Sequence, residues 1–270
     1  MKITESDLKT FEGIQTQFTN ALSKSVAISA NAIGINHTGR QNRALFIFAK
    51  LIAHCMAISA LMEKHNYAPQ GAKLLDHFSI AALGRTVIDA SLMVMYISEP
   101  KLTRAEWDLR RQILFLHDLS NRNRFLKSVA KIKTENDSDF LQSYDVVKPK
   151  IIEKIQSLSI GLGHSYTEIE EFCSGQRVYV QGAQGAAREA GWNVDLFAFM
   201  QSYLSNWVHS HPVSFMRADE HKISFSNPSE YQKGQVCLVL DVCTECLNDT
   251  NARMAKFSGN ISKDPVGQLD

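Results

Sequence analysis

Apolar residues recur at spacings of three and four along most of this chain, which is the pattern of amphipathic helices. The first helical face is marked by Leu8, Phe11, Phe18 and Leu22. The same pattern predicts helices over about 4–30, 40–66, 73–98, 103–129, 140–158, 165–173, 194–210 and 229–257. The stretch 175–191 is rich in glycine and alanine, and we expect a brief strand or a loop there.

Local signals set the ends of several of these helices. Three predicted helices begin with capping boxes: Thr103 to Glu106, Ser165 to Glu168 and Ser229 to Gln232. Long helices with short connections predict an all-α fold, a single multi-helix bundle of about seven to eight helices. We expect one domain over 1–257, in which helices 140–257 pack on the four long helices of 4–130, followed by a flexible tail at 258–270.

Composition narrows the classes of protein that fit. The net charge is only +1. This value excludes a strongly basic protein that binds nucleic acid through its overall charge, but it is compatible with a local basic patch. Five cysteines are an odd number scattered through apolar segments, unlike a disulfide framework. The first residues, MKITESDLKTFEGI, contain no apolar signal-peptide core. These features predict a cytoplasmic protein.

Two apolar runs require comparison with membrane helices. In 44–62, the apolar residues favour insertion by about 3.5 kcal/mol, but Lys50 near the centre costs about 3 kcal/mol. The run 79–97 carries both Arg85 and Asp89 in its middle. We therefore expect core helices of a soluble protein, with no membrane partner.

Arg85 and Asp89 are the most unusual charges in the sequence because they lie within an apolar helix. Their spacing of four residues places both on one helix face, where they can pair. One interpretation is a structural ion pair that tethers a neighbouring helix. The other is a guanidinium that faces a pocket and binds phosphate, with Asp89 orienting Arg85.

A second candidate cluster lies in YLSNWVHSHP, residues 203–212. Asn206 and His209 share a helix stripe with Ser202, and His209 and His211 lie at the helix end, where the helix dipole favours imidazolium. This position suits an acid/base or phosphate-binding histidine. The alternative is a helix end followed by a proline stop.

Three other features have simpler interpretations. Arg110, His117, Asn121 and Arg124 share a stripe that an exposed, solvated face explains. Cys243 and Cys246 lack a second ligand pair for zinc and fit a helix core. The sequence contains no dinucleotide, P-loop, hydrolase-elbow or kinase motif, so we expect no cofactor and no metal.

Three segments together resemble an uncharacterised family of all-helical bacterial proteins: GRTVIDASLMVMYI, EWDLRRQILFLHDLSNRNRFL and YLSNWVHSHP. Their Arg-x3-acid helix and Ser-x3-His helix end are more loosely similar to HEPN (higher eukaryotes and prokaryotes nucleotide-binding) domains. Many HEPN domains are metal-independent ribonucleases of toxin and phage-defence systems that act as dimers. In them, an arginine holds a phosphate while a histidine moves protons as the RNA 2′-hydroxyl attacks.

The resemblance implies a homodimer that acts on RNA or a nucleotide. It assigns acid/base chemistry to His209 and phosphate binding to Arg85, oriented by Asp89, with Asn206, His211 and Arg217 as further binding residues. The family's arginine is missing just before His209, where Ser202, Tyr203 and Leu204 stand. Arg85 or Arg217 would therefore have to reach His209 across the fold. The rival hypothesis is a non-catalytic helical module that binds a protein partner.

Overall fold

The computed structural model describes residues 10–63, 75–132, 138–224 and 227–267, and for Ala130 and 138–142 the backbone alone. The described chain forms nine α-helices and contains no strand, which confirms the all-α prediction. Their bounds are α1 Phe11–Asn31, α2 Gly39–Met62, α3 His77–Ile97, α4 Arg104–Ala130, α5 Ser138–Gly161, α6 Tyr166–Cys173, α7 Gly182–Glu189, α8 Val194–Val208 and α9 Glu230–Phe257. Two short 3₁₀ turns follow at Pro212–Ser214 and Ile261–Lys263.

Capping explains why several helices begin where they do. The three predicted capping boxes are present at the starts of α4, α6 and α9, and a fourth joins Thr38 to Gln41 at the start of α2. In each, a side-chain oxygen accepts a backbone N–H that the first turn leaves without a helical partner.

Some predicted elements differ from the structure. The stretch 175–191 contains α7 instead of a strand or loop alone, because its alanines, Arg188 and Glu189 are strong helix formers. The second helix ends at Met62 instead of 66, where Glu63 turns extended. The starts at 4 and 73 lie outside the described residues, and the described helices there begin at Phe11 and His77.

The helices divide into two compact units, residues 1–99 with 190–270 (unit 1) and residues 100–189 (unit 2). In unit 1, α3 packs against α2, α8 and α9, and α1 packs against α9. In unit 2, α4 packs against α5 and α6. The structure thus assigns α4 to unit 2, and α1, α2 and α3 to unit 1. The predicted single domain over 1–257, with helices 140–257 packed on the first four, stays a prediction.

The core of unit 1 is built around α3, whose buried side chains include Ile80, Val87 and Leu92. Gly84 allows α3 to lie close to α9, because a Cβ there would stand 2.5 Å from Val239 Cγ1. Cys243 and Cys246 are buried in the same core, as the simpler interpretation predicts. Burial raises the pKa of the Cys246 thiol to about 12, which keeps it protonated and unreactive.

Unit 2 has its own core of Leu109, Ile113, Leu116, Ile155 and Phe172. The predicted solvated stripe on α4 is only partly exposed. Arg110 is buried and pairs with Glu189 at 2.5 Å, so it is a structural charge rather than part of a basic surface.

The described part of the predicted flexible tail, 258–267, makes buried contacts with the rest of unit 1. Asp264 is fully buried and pairs with Arg40 at 2.8 Å. Thr38 also donates to Asp264 at 2.5 Å, and Arg40 donates to the backbone oxygens of Ile97 and Glu99. This segment is therefore fixed against the start of α2 and the end of α3.

Two of the described helices, α2 and α3, are long and apolar enough to cross a membrane by length and composition alone. Of the most apolar 18-residue stretch of each helix, 67% is buried in α3 and 28% in α2. Core helices of soluble proteins pass the same test, so the absence of a membrane partner stays a prediction.

Candidate functional site

The candidate site lies in unit 1, along the line where α3 packs against α8. Helix α8 begins at Val194, and the side chain of its N-cap residue, Asn193, accepts the N–H of Leu196. It buries Phe197, Met200, Leu204 and Trp207 in the core of unit 1. The other residues of α8 therefore lie at the edges of this buried face or are exposed to solvent.

Arg85 and Asp89 form the ion pair that their spacing predicts. The pair is not sealed, because 18% of the Arg85 side chain and 48% of the Asp89 side chain remain exposed. Both residues also contact α8: Arg85 Nε donates to Ser205 Oγ at 3.2 Å, and Gln201 Nε2 donates to Asp89 Oδ1 at 3.4 Å. We name these four residues, Arg85, Asp89, Gln201 and Ser205, the α3–α8 seam.

His209 and His211 lie at the end of α8, and both are exposed. His209 is the C-cap residue of α8, and its backbone N–H donates to Ser205 O at 3.1 Å. Ser210 follows with a positive φ of 50°, which turns the chain sharply. The two imidazole rings face each other at 5.5 Å between centroids and 29° between planes.

The seam and the histidine pair occupy the same part of α8. Ser205, which contacts Arg85, precedes His209 by one helical turn, a rise of about 6 Å. The two residues differ by only about 40° around the helix axis, at 100° per residue. Ser205, which contacts Arg85, and His209 therefore lie one turn apart on the same flank of α8.

Two further predicted residues are placed differently. Asn206 uses its amide N–H groups within the helix, donating to Ser202 O at 2.9 Å and Tyr203 O at 3.3 Å. Arg217 lies on an exposed turn after the 3₁₀ turn Pro212–Ser214, where its ion partner within the described chain is Glu220 at 3.7 Å. The structure does not bring Arg217 into contact with the seam among the residues that it describes.

A buried aromatic group supports the C-terminal half of α8. The ring of His77 lies 5.7 Å from that of Trp207, and Phe78 lies at the same distance from Trp207. Burial lowers the pKa of His77, which keeps its ring neutral. These contacts fix the start of α3 against α8 and so hold the seam in place.

Sequence reasoning missed Gln201 and Ser205. Both contacts join helices about 110–120 residues apart in the chain, a pairing that periodicity along one helix does not show. A signal was nevertheless present, because Gln201, Ser205 and His209 are spaced by four and form a polar flank on an otherwise apolar helix.

The chemistry available at this site is that of a guanidinium and two imidazoles. A guanidinium offers forked N–H donors that suit phosphate oxygens, and imidazole exchanges protons near neutral pH. Within the described residues, no group of three or more His, Cys, Asp or Glu side chains is arranged to hold a metal ion. Comparisons with family models, with curated proteins and with solved structures find no match to this chain.

Proposed function

We propose that the α3–α8 seam and the neighbouring histidines bind a phosphate of RNA or a nucleotide, and that His209 carries out metal-independent acid/base chemistry on it. The proposal extends the HEPN resemblance to this chain's own residues. A role as a toxin or phage-defence effector or accessory protein, and action as a homodimer, belong to the same proposal.

The observation that carries the proposal is the contact between Arg85 and Ser205. The contact joins Arg85 to Ser205, which precedes His209 by one turn of α8, and this supports a shared site for two residues that are 124 positions apart in the sequence. It also supplies the arginine that the sequence lacks just before His209. The pair is only partly buried, mainly through Asp89, since 18% of the Arg85 side chain and 48% of the Asp89 side chain are exposed, although Arg85 Nη1 itself is buried.

Each residue has a defined role in this proposal. Arg85 binds a non-bridging phosphate oxygen, and Asp89 keeps the guanidinium oriented. Neutral His209 accepts the proton of the RNA 2′-hydroxyl as that oxygen attacks phosphorus. Protonated His211 gives its proton to the departing 5′-oxygen, so a 2′,3′-cyclic phosphate and a 5′-hydroxyl result. Asn206 and Arg217 contact neighbouring parts of the substrate.

The test is cleavage of total RNA in the presence of EDTA. We expect cleavage by the wild-type protein and a loss of at least about 100-fold in His209→Ala, because general acid/base groups contribute about 10²–10⁴-fold. His164→Ala is the matched control, since it removes an imidazole from unit 2 and should leave the rate unchanged. Circular dichroism verifies that both variants are folded.

Two results would contradict the proposal. One is that the wild-type protein cleaves no RNA, whether it is a monomer or a dimer in solution. The other is that the wild-type protein and His209→Ala cleave RNA at the same rate. The first result favours the non-catalytic helical module for a protein partner. One observation supports that rival, because Arg85 already has protein partners on two helices, as expected for a structural tether. In that case Arg85 would stabilise α8 and bind no substrate.

A further inference from the structure

A second site in unit 1 is an open cavity of about 360 Å³ between α3, α8 and α9. Its volume lies within the range of cavities that hold small molecules, about 300–1,000 Å³. The cavity uses the N-terminal half of α8, whereas the seam histidines lie at the C-terminal end of that helix. It contains none of the residues assigned above to phosphate or proton transfer.

The floor of this cavity is apolar and aromatic. Ile88, Phe197 and Met200 line it, and each is almost fully buried in the core. Trp192 forms part of the wall, with its ring 6.0 Å from that of Phe197. An aromatic wall of this kind attracts both apolar groups and cations.

The mouth of the cavity is acidic. Glu245 and Asp249 are four residues apart on one face of α9, both line the cavity, and both are exposed. Trp192 Nε1 donates to Asp249 Oδ2 at 2.8 Å, which joins the aromatic wall to the acidic mouth. No Lys, Arg or His is among the described residues that line the cavity.

The nearest cation on the same helix is directed elsewhere. Arg253, one turn after Asp249, pairs with Glu99 at 3.2 Å and donates to Met95 O at 3.1 Å. Asp249 reaches the surface, but desolvation by the surrounding protein raises the pKa of its carboxyl. The hydrogen bond from Trp192 and the charge of Arg253 act in the opposite direction and lower this pKa. A cationic ligand would offset this unfavourable environment of the carboxylate.

We propose that this cavity binds a small organic cation, an amine or quaternary ammonium group attached to an aromatic or aliphatic body. The body packs on Phe197, Met200 and Trp192, and the cation lies over the face of the Trp192 ring, beside the carboxylates of Glu245 and Asp249. Anionic ligands are disfavoured by the same two carboxylates. The proposal is independent of the RNA chemistry assigned to the seam.

The test is calorimetric titration of the full-length protein with three probes of similar shape: tryptamine, which is cationic, 3-methylindole, which is neutral, and indole-3-acetate, which is anionic. We expect saturable one-to-one binding of tryptamine, weaker binding of 3-methylindole and the weakest binding of indole-3-acetate. The affinity for tryptamine should also fall as the pH is lowered and the carboxylates become protonated.

Variants locate the binding site. Glu245→Gln and Asp249→Asn should each weaken tryptamine binding about fivefold, as expected for loss of one partly solvated charge contact. Glu230→Gln removes an exposed carboxylate from the other end of α9 and should have no effect. Leu196→Trp, at a half-buried position in the lining, should abolish binding by filling the space.

The proposal is overturned if tryptamine shows no saturable binding at millimolar concentration. It is equally overturned if indole-3-acetate binds as well as tryptamine, or if the Glu245→Gln/Asp249→Asn double variant binds tryptamine with unchanged affinity. All three outcomes are measured by ligand titration, so they are separate from any result of the RNA assay.

Discussion

Unit 1 contains two Arg–Asp pairs whose surroundings differ sharply. The side chains of Arg40 and Asp264 are 2% and 0% exposed. Thr38 donates a further hydrogen bond to Asp264, and Arg40 donates to the backbone oxygens of Ile97 and Glu99. Arg85 and Asp89 are 18% and 48% exposed, and they lie on neighbouring turns of one helix. The first pair joins distant segments of the chain, whereas the second lies along an open seam.

The difference shows what each pair is able to do. A buried pair with all its hydrogen bonds made by protein groups has no free access for a ligand, so its role is to fix structure. A partly exposed pair such as Arg85–Asp89, whose carboxylate is about half exposed, contributes less to stability because solvent screens the charges. The contrast therefore assigns structure to Arg40–Asp264 and candidate chemistry to Arg85–Asp89, and the following predictions test that assignment.

The largest expected effect is on stability, in Asp264→Ala. Removing one partner leaves the Arg40 guanidinium buried without its counter-ion, which costs about 3–5 kcal/mol of unfolding free energy. Denaturant unfolding monitored by circular dichroism measures this loss. A double replacement, Arg40→Met with Asp264→Leu, should recover most of it because no uncompensated charge remains. A loss below about 1 kcal/mol in Asp264→Ala would contradict the structural role.

A smaller effect on stability is expected in Asp89→Asn. Since Asp89 is half-exposed, loss of its ion pair should cost no more than about 1 kcal/mol, measured by the same denaturant unfolding. Cleavage of RNA should fall about tenfold, because the guanidinium of Arg85 loses the carboxylate that orients it. A stability loss of about 3 kcal/mol or more would instead place the pair with Arg40–Asp264.

A third effect concerns the pH dependence of stability around the seam. Burial lowers the pKa of His77 below its ordinary value of 6.5, so the folded state binds its proton less tightly than the unfolded state. Stability should therefore decrease as the pH falls below about 6.5 and through the folded pKa, by at most about 1.4 kcal/mol per pH unit for one proton. His77→Gln should reduce this slope in unfolding measurements between pH 7 and 5. An unchanged slope would show that His77 does not supply it.

The sequence predicts well whatever is local in the chain. The capping boxes of α4, α6 and α9 are present, and the i,i+4 spacing correctly pairs Arg85 with Asp89. Such interactions involve residues within one or two turns, so their geometry follows from helix periodicity alone.

Contacts between segments that are distant in the chain cannot be predicted from helix periodicity. Arg40 and Asp264 are 224 residues apart, and the polar composition after 258 favoured a flexible tail. The contact of Ser205 with Arg85 likewise depends on how α8 packs against α3. Neither contact follows from local spacing, because each depends on the tertiary structure. In both, packing brings a polar or charged side chain next to a charged residue that has no such partner nearby in the sequence.

The most direct test of the contrast is a paired measurement on Arg85→Met, which removes the charge and keeps the volume of the side chain. Metal-free RNA cleavage and the free energy of unfolding are measured on the same preparation. The account predicts a loss of about 100-fold in cleavage, because the phosphate loses its guanidinium, with a stability change within about 1 kcal/mol. Cleavage at the wild-type rate per folded molecule, together with a stability loss of about 3 kcal/mol or more, would contradict it and make Arg85–Asp89 a structural pair.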